Sequence, residues 1–296
     1  MSAPAEIVEL GKQREAARLA KDYALADQLR DKIADAGWEV SDVAGSFELK
    51  AKARHGIYEV IGNLKPFFSS ESQICLAMVV SGFQDDAVEA INSIRRYSAV
   101  PIAVLSIGEV GSLANIRDDN FFLAQINEDC GWGPAANALL RSALTEYVVI
   151  MDPSTQFTGD AISPVLEELA RGDFAAVGWR GGLVNVEDEW RSVDDKGPGE
   201  VDVLFSYFFA LDREAALEVG GFNPRALYYR NADMEFSLKL RHASGRLLQM
   251  DLPLLQARHH GYHDVDLTFR EAQSKKNYDR ILDRFRGKNA ILSPRR

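Results

Sequence analysis

Cysteine is scarce: only 2 of the 296 residues are Cys. Cys75 and Cys130 stand alone in apolar or Gly-rich surroundings, without metal-site spacing. That excludes a disulfide framework and a Cys-based metal centre, and reduced structural thiols are expected. Long apolar runs are also lacking. The longest, residues 74–80 and 203–211, are strand-sized and interrupted by polar positions, well short of the ~20 residues needed to cross a bilayer. The N-terminus is charged and helix-like, with no apolar signal core. A cytoplasmic protein with no transmembrane segment is therefore expected. Positive charge is in deficit: 34 Lys and Arg face 44 Asp and Glu, a net charge of −10. A general nucleic-acid binder would need the opposite balance. No internal repeat or low-complexity tract is evident.

The basic residues that are present crowd the C-terminus, among them Lys275, Lys276, Arg280, Arg284, Arg286, Lys288, Arg295 and Arg296. Such a run reads as a solvated helix face or as an anion-attracting arm, with the former ahead. Four segments follow from the patterning: residues 1–50 as a helical hairpin, 51–73 as a linker containing Gly56, Gly62 and Pro66, 74–265 as the main domain, and 266–296 as a basic C-terminal helix or tail. In the hairpin, Leu10, Arg14, Ala17 and Arg18 mark the first helix, and Leu25, Leu29, Ile33 and Ala36 one face of the second. Gly37 follows at a C′-like position.

From residue 74 strands and helices alternate. Strand-like runs cover 74–80, 101–106, 121–126, 147–151 and 174–178, and helix-like runs cover 86–97, 134–144 and 161–171. Asp85 or Asp86 can cap the first of these helices, and Pro134 suits a first helical turn. The alternation predicts an α/β fold with a mixed, mostly parallel sheet and helices on both faces. Residues 181–200, with Gly197, Pro198 and Gly199, read as a long loop of the lid or binding type.

Three blocks carry chemistry. The first is Asn127-Glu128-Asp129-Cys130-Gly131-Trp132-Gly133-Pro134-Ala135-Ala136-Asn137, followed by a helix, a buried strand and Asp152-Pro153-Ser154. This sets a carboxylate at a strand's carboxyl end, the edge where ligands bind in open α/β sheets. The second is Gly220-Gly221-Phe222-Asn223-Pro224, then Asn231-Ala232-Asp233-Met234-Glu235-Phe236-Ser237-Leu238. The third is Arg258-His259-His260-Gly261-Tyr262-His263. Together, over roughly residues 74–261, they resemble the family 2 glycosyltransferases of GT-A fold. Residues 14–45, including Arg14, Ala17, Arg18, Asp27, Trp38 and Gly45, resemble the C-terminal helical segment of cysteinyl-tRNA synthetases. No nucleotide-binding signature of that class accompanies them. The hairpin is read as a packing module, a homo-oligomer contact or a protein-docking surface.

The first resemblance implies transfer of a sugar from a nucleoside-diphosphate donor to an acceptor hydroxyl, with inversion. It implies Asp233 as general base, held anionic at a helix N-terminus. It implies Asp152 and His259 at the diphosphate, with Mn²⁺ or Mg²⁺. The family's Asp-x-Asp is broken, since Ser154 replaces the second Asp, and Ser106 replaces an Asp that usually meets the nucleotide. Gly131, Gly133 and Asn137 match the Gly-rich turn at the nucleotide, while Ser206, Tyr207 and Glu235 lie where the family contacts sugar or acceptor. Simpler readings stand beside these. Asp152 and Asp233 can be helix caps, and the aromatics of 203–211 can be core. A catalytically degenerate binding module and a nucleic-acid-directed transferase are the alternatives.

Overall fold

The structure is a computed structural model that describes residues 3–43, 46–51, 55–66 and 71–295. Gly45, Arg296 and part of the 51–73 segment lie outside the described residues. The chain divides into two compact units, Met1–Arg54 and His55–Arg296.

The first unit holds two helices, α1 (Ala5–Leu19) and α2 (Tyr23–Asp35), and a two-stranded antiparallel ribbon, β1 (Trp38–Val43) with β2 (Ser46–Ala51). The helical pair was expected; the ribbon was not. Asp22 caps α2 by accepting from the Leu25 amide at 3.0 Å. Gly37 ends it at φ +80°, the left-handed conformation that favours glycine. Ile7, Ile33 and Trp38 form a small core. Leu25 is exposed and Ala26 takes its place inside. Arg14 is buried and grips Asp42 with both ends of its guanidinium, at 2.8 and 3.2 Å. That hydrogen-bonded pairing holds the Asp42 carboxyl below its usual range.

The second unit is built on a sheet of β3 (Gly56–Tyr58), β4 (Ile74–Ser81), β5 (Ile102–Ile107), β6 (Phe121–Ile126), β7 (Tyr147–Met151), β9 (Ala176–Gly178), β12 (Gly199–Val201), β14 (Phe208–Asp212) and β15 (Leu247–Gln249). Its spatial order is β12-β15-β9-β14-β7-β4-β5-β6-β3. Strands β7, β4, β5, β6 and β3 run parallel, and β14 enters antiparallel between β7 and β9. The strand β3 lies within the segment read as linker.

Side-chain alternation explains the continuous apolar run of β4. Ile74, Leu76, Met78 and Val80 point to one face, where they meet Ala87, Ile91 and Ile94 of α3 (Gln84–Arg95) and Val165 and Leu169 of α5 (Ile162–Ala170). Cys75, Ala77 and Val79 point to the other, against Leu139 of α4 (Trp132–Ser142) and Phe236 and Leu240 of α7 (Ala232–His242). Burial pushes the Cys75 thiol up to about 12, which suits a structural thiol.

The expectations for 203–211 and 181–200 change. The run 203–211 is broken: β13 (Val203–Leu204) and β14 are separated by Phe205, Ser206 and Tyr207, and β13 pairs with β10 (Gly181–Val184) instead. The stretch 181–200 holds structure, because β10 forms a ribbon with β11 (Val193–Asp194) and β12 joins the main sheet. The basic C-terminal helix α9 (Leu267–Phe285) is amphipathic. Ile281 and Phe285 are buried with Trp190, Met234 and Leu238, while the basic residues lie on its polar side. The α3 start also differs, since Phe83 occupies the N-cap at φ +52° without a side-chain cap.

Candidate active site

The carboxyl ends of β4, β5 and β7 open into a cleft of about 270 Å³. Asp152 follows β7 directly and lines it. Its Oδ1 accepts from the Ser154 amide at 2.8 Å and the Ser154 hydroxyl at 2.5 Å. Ser154 therefore orients Asp152 rather than supplying a second carboxylate.

His259 reaches this cleft from far along the sequence. A short antiparallel ladder joins β8 (Thr155–Phe157) to β16 (Leu254–Gln256), with Gln256 opposite Thr155. The Ala257 amide continues it by donating to the Ser154 carbonyl at 2.9 Å. This zipper delivers His259 Nε2 to within 2.9 Å of Asp152 Oδ2. The other ring nitrogen, Nδ1, lies 3.1 Å from the Gln256 amide. Tyr229 and Tyr207 pack on the imidazole, with ring centroids 5.2 and 5.9 Å away.

These residues fit a divalent cation in part. Nε2 and Oδ2 meet each other directly at 2.9 Å, and both atom types are ligands for divalent cations. Among the described residues no group of three His, Cys, Asp or Glu is set to hold an ion. Further ligands would have to come from substrate oxygens and water. Charge points the same way. The described residues lining the cleft include Asp86, Asp129 and Asp152 but no Lys or Arg. An anionic group placed there needs a cation beside it.

Asp233 occupies a second hollow of about 470 Å³, and Tyr229 lines both. A groove along Tyr207, Tyr229 and Arg230 connects His259 to this side. Asp233 sits in the first turn of α7 and is 5 % exposed. Its Oδ2 accepts from the Ser206 amide at 2.8 Å and hydroxyl at 3.1 Å, and Oδ1 from the Met234 amide at 2.9 Å. The break between β13 and β14 is what turns Ser206 toward it. Burial raises the Asp233 carboxyl to about 6 against the pull of those donors. A carboxylate has about four lone-pair sites. The Ser206 amide and hydroxyl and the Met234 amide occupy most of them, and burial still favours the protonated form. Tyr207 lies in the field of both carboxylates; burial first, then Asp233 and Asp152, raise its hydroxyl.

The other candidates divide. Gly131, at φ +77°, lines the cleft, and a Cβ there would meet Leu227 at 2.8 Å. Gly133 instead lets α4 approach the 223–226 turn: a Cβ would fall 2.3 Å from the Asn223 carbonyl. Asn137 spends its amide on Phe222, donating to the carbonyl and accepting from the amide, each at 2.8 Å. Glu235 accepts twice from Asn223 Nδ2, at 2.9 and 3.0 Å. Both hold the Gly-Gly-Phe-Asn turn and line neither hollow. Ser106 is buried and donates to the Glu109 carbonyl at 2.9 Å, within its own turn. Tyr229, Arg230 and Gln256 had no assigned role in the sequence. The aromatic pair before the acidic block, and an amide three residues before the histidine, were the available signals.

No protein-family model matches the chain, and no curated protein matches it. Solved structures do. The mannosyltransferase PcManGT from Pyrobaculum calidifontis, solved with GDP-Man and Mn²⁺, superposes at a TM-score of 0.55 and 18 % identity, over 74 % of this chain and 68 % of that one. GalNAc-T7, solved with UDP, GalNAc and Mn²⁺, gives 0.53 and 12 %, over 72 % of this chain and 48 % of that one. TarS from S. aureus, solved with UDP, gives 0.50 and 12 %, over 72 % of each. The likeness establishes a GT-A-like α/β fold shared with nucleotide-sugar glycosyltransferases. Nothing in it supports a synthetase relationship for residues 1–50. No helix among the described residues is long and apolar enough to cross a membrane.

Proposed function

We propose that the protein is a glycosyltransferase that moves a sugar from a nucleoside-diphosphate donor to an acceptor hydroxyl. The observation that carries this reading is the adjacency of the two hollows: the Asp152–His259 pair lines one, Asp233 the other, and Tyr229 both. The donor diphosphate belongs in the carboxylate-lined cleft. Asp152 and His259 would hold a Mn²⁺ or Mg²⁺ ion there, and the ion would neutralise charge on the leaving diphosphate. The acceptor belongs beside Asp233. Its hydroxyl proton passes to the Asp233 carboxylate as the oxygen bonds to the anomeric carbon and the bond to the diphosphate oxygen breaks. Attack from the side opposite the leaving group inverts the configuration. A carboxyl raised to about 6 is a stronger base than an ordinary Asp and is still ionised at neutral pH. Ser206 and the α7 N-terminus keep it aimed.

A second reading has one observation in its favour. Ser154 replaces a metal-binding carboxylate and clasps Asp152, which suits a module that binds nucleotide sugars without transferring them. A screen of nucleotide sugars with Mn²⁺, following release of nucleoside diphosphate, separates the two. Release that Asp233→Asn abolishes, with donor binding kept, supports the transferase. Binding of donors with no release from any of them supports the module.

A further inference from the structure

The hollow beside Asp233 is lined by two arginines that the reaction above does not use. Arg191 and Arg230 both line it, with Tyr207, Tyr229 and Tyr278. We infer that this hollow is an acceptor site for a hydroxyl compound bearing an anionic group, a phosphate or a carboxylate. This rests on the glycosyltransferase reading for the role of Asp233.

Both arginines are held by unusual backbone. Glu189 and Trp190, just before Arg191, have φ +61° and +69°, and Asn231, just after Arg230, has φ +67°. Left-handed conformations are disfavoured for such side chains and persist only where the surroundings hold them. Here they do. Trp190 is buried among Ile281, Phe285 and Leu292, its indole donates to Asn289 Oδ1 at 3.3 Å, and its carbonyl accepts from the Tyr278 hydroxyl. Asn231 Nδ2 donates to the Ser274 carbonyl at 3.0 Å. The turns before one arginine and after the other are thus fixed by α9 and the segment after it.

Their present partners are weak. Arg191 meets Glu189 at 3.2 Å, and Arg230 meets Glu271 at 3.7 Å and the Tyr262 hydroxyl at 3.5 Å, with its guanidinium 5.2 Å from the Tyr262 ring centre; the four ion-paired side chains are well exposed. Exposed ion pairs of this kind contribute little and exchange readily. A phosphate or carboxylate accepting paired N–H bonds is the better partner for a guanidinium. Once an incoming anion displaces Glu189 and Glu271, the two arginines outweigh the negative charge of Asp233 in the same hollow. In the neighbouring cleft the lining carboxylates would repel it. The tyrosines offer faces and hydroxyls for a sugar or polyol.

The test is calorimetric titration, without donor, of matched pairs: glucose with glucose 6-phosphate, glycerol with glycerol 3-phosphate, and glucose with glucuronate. At least tenfold tighter binding of a charged member, lost in Arg191→Gln/Arg230→Gln but kept in the distant control Arg171→Gln, is expected. The phosphate and uronate arms tell which anion is preferred. Equal binding of charged and neutral members, no binding by any of them, or a preference that survives the double substitution overturns the proposal. So does competition between glucose 6-phosphate and a nucleoside diphosphate, which would place the anion in the donor cleft. Because binding is read without turnover, a protein that fails to release nucleoside diphosphate from any donor fails the glycosyltransferase reading alone.

Discussion

The two hollows share Tyr229 and are electrostatic opposites. Among the described residues, one is lined by Asp86, Asp129 and Asp152 with no Lys or Arg, while the other sets Arg191 and Arg230 around the buried Asp233. Each polarity follows from where the residues come in the fold. The acidic cleft is formed where parallel strands end, and the basic hollow where the β10–β11 ribbon and α9 cover the start of α7. The difference suggests a division of labour. On the proposed reading, an anion would enter the first only in company with a cation and the second directly.

Removing the base should have the largest effect. Asp233→Asn is expected to lower turnover by about 10²–10⁴-fold with the donor's KM held within about twofold. A matching rise in donor KM would mean that Asp233 belongs to the first hollow.

Stability should follow pH through the same group. The fold raises Asp233 from 3.8 to about 6, so the native state keeps a proton that the unfolded chain has released. Its contribution favours the fold below pH 3.8 and is lost as pH rises through about 6. The shift corresponds to about 3 kcal/mol. Denaturant titrations from pH 4 to 7.5 should show wild type losing stability relative to Asp233→Asn, by up to that amount. Parallel curves would contradict the buried, singly charged environment.

Much of this arrangement was legible in the sequence. Strands β4, β5 and β7 announced themselves because burial on both faces demands nearly unbroken apolar runs, and the half-buried β6 through its aromatic and aliphatic residues. Helix α4 followed from Pro134 and its apolar face. Asp152, His259 and Asp233 stood out by position in their blocks. Other features depend on partners distant in the chain. Asn137 and Glu235 carry the same polar atoms whether they meet a ligand or the turn 221–223, and only the packing of α4 and α7 decides. Residues 203–211 read as one strand because Phe205 and Tyr207 flank Ser206 with strand-favouring aromatics; the turn that brings Ser206 to Asp233 breaks it. The ribbon within 181–200 was hidden by its polar turn, although Trp190 hinted at burial.

Residues behind the hollows should behave unlike those within them. Asn137→Leu leaves the buried Phe222 amide and carbonyl unpaired, costing about 2 kcal/mol and lowering Tm by about 4–8 °C. Donor affinity at low temperature should not change. A selective loss of donor binding without a Tm change would return Asn137 to the cleft. The smallest effect is expected at Gln256, which touches His259 from behind. Gln256→Leu should weaken Mn²⁺-supported nucleotide binding by about tenfold, in the range typical for partners of metal-binding histidines, and leave acceptor binding intact.

The most direct measurement is titration of the protein with UDP and with GDP, in Mn²⁺ and again in EDTA, for wild type and His259→Ala. The expected result is nucleoside diphosphate binding that needs Mn²⁺ and is lost in His259→Ala. Equally tight binding in EDTA, or a Mn²⁺ requirement untouched by the loss of His259, would contradict the assignment of the acidic cleft to the donor.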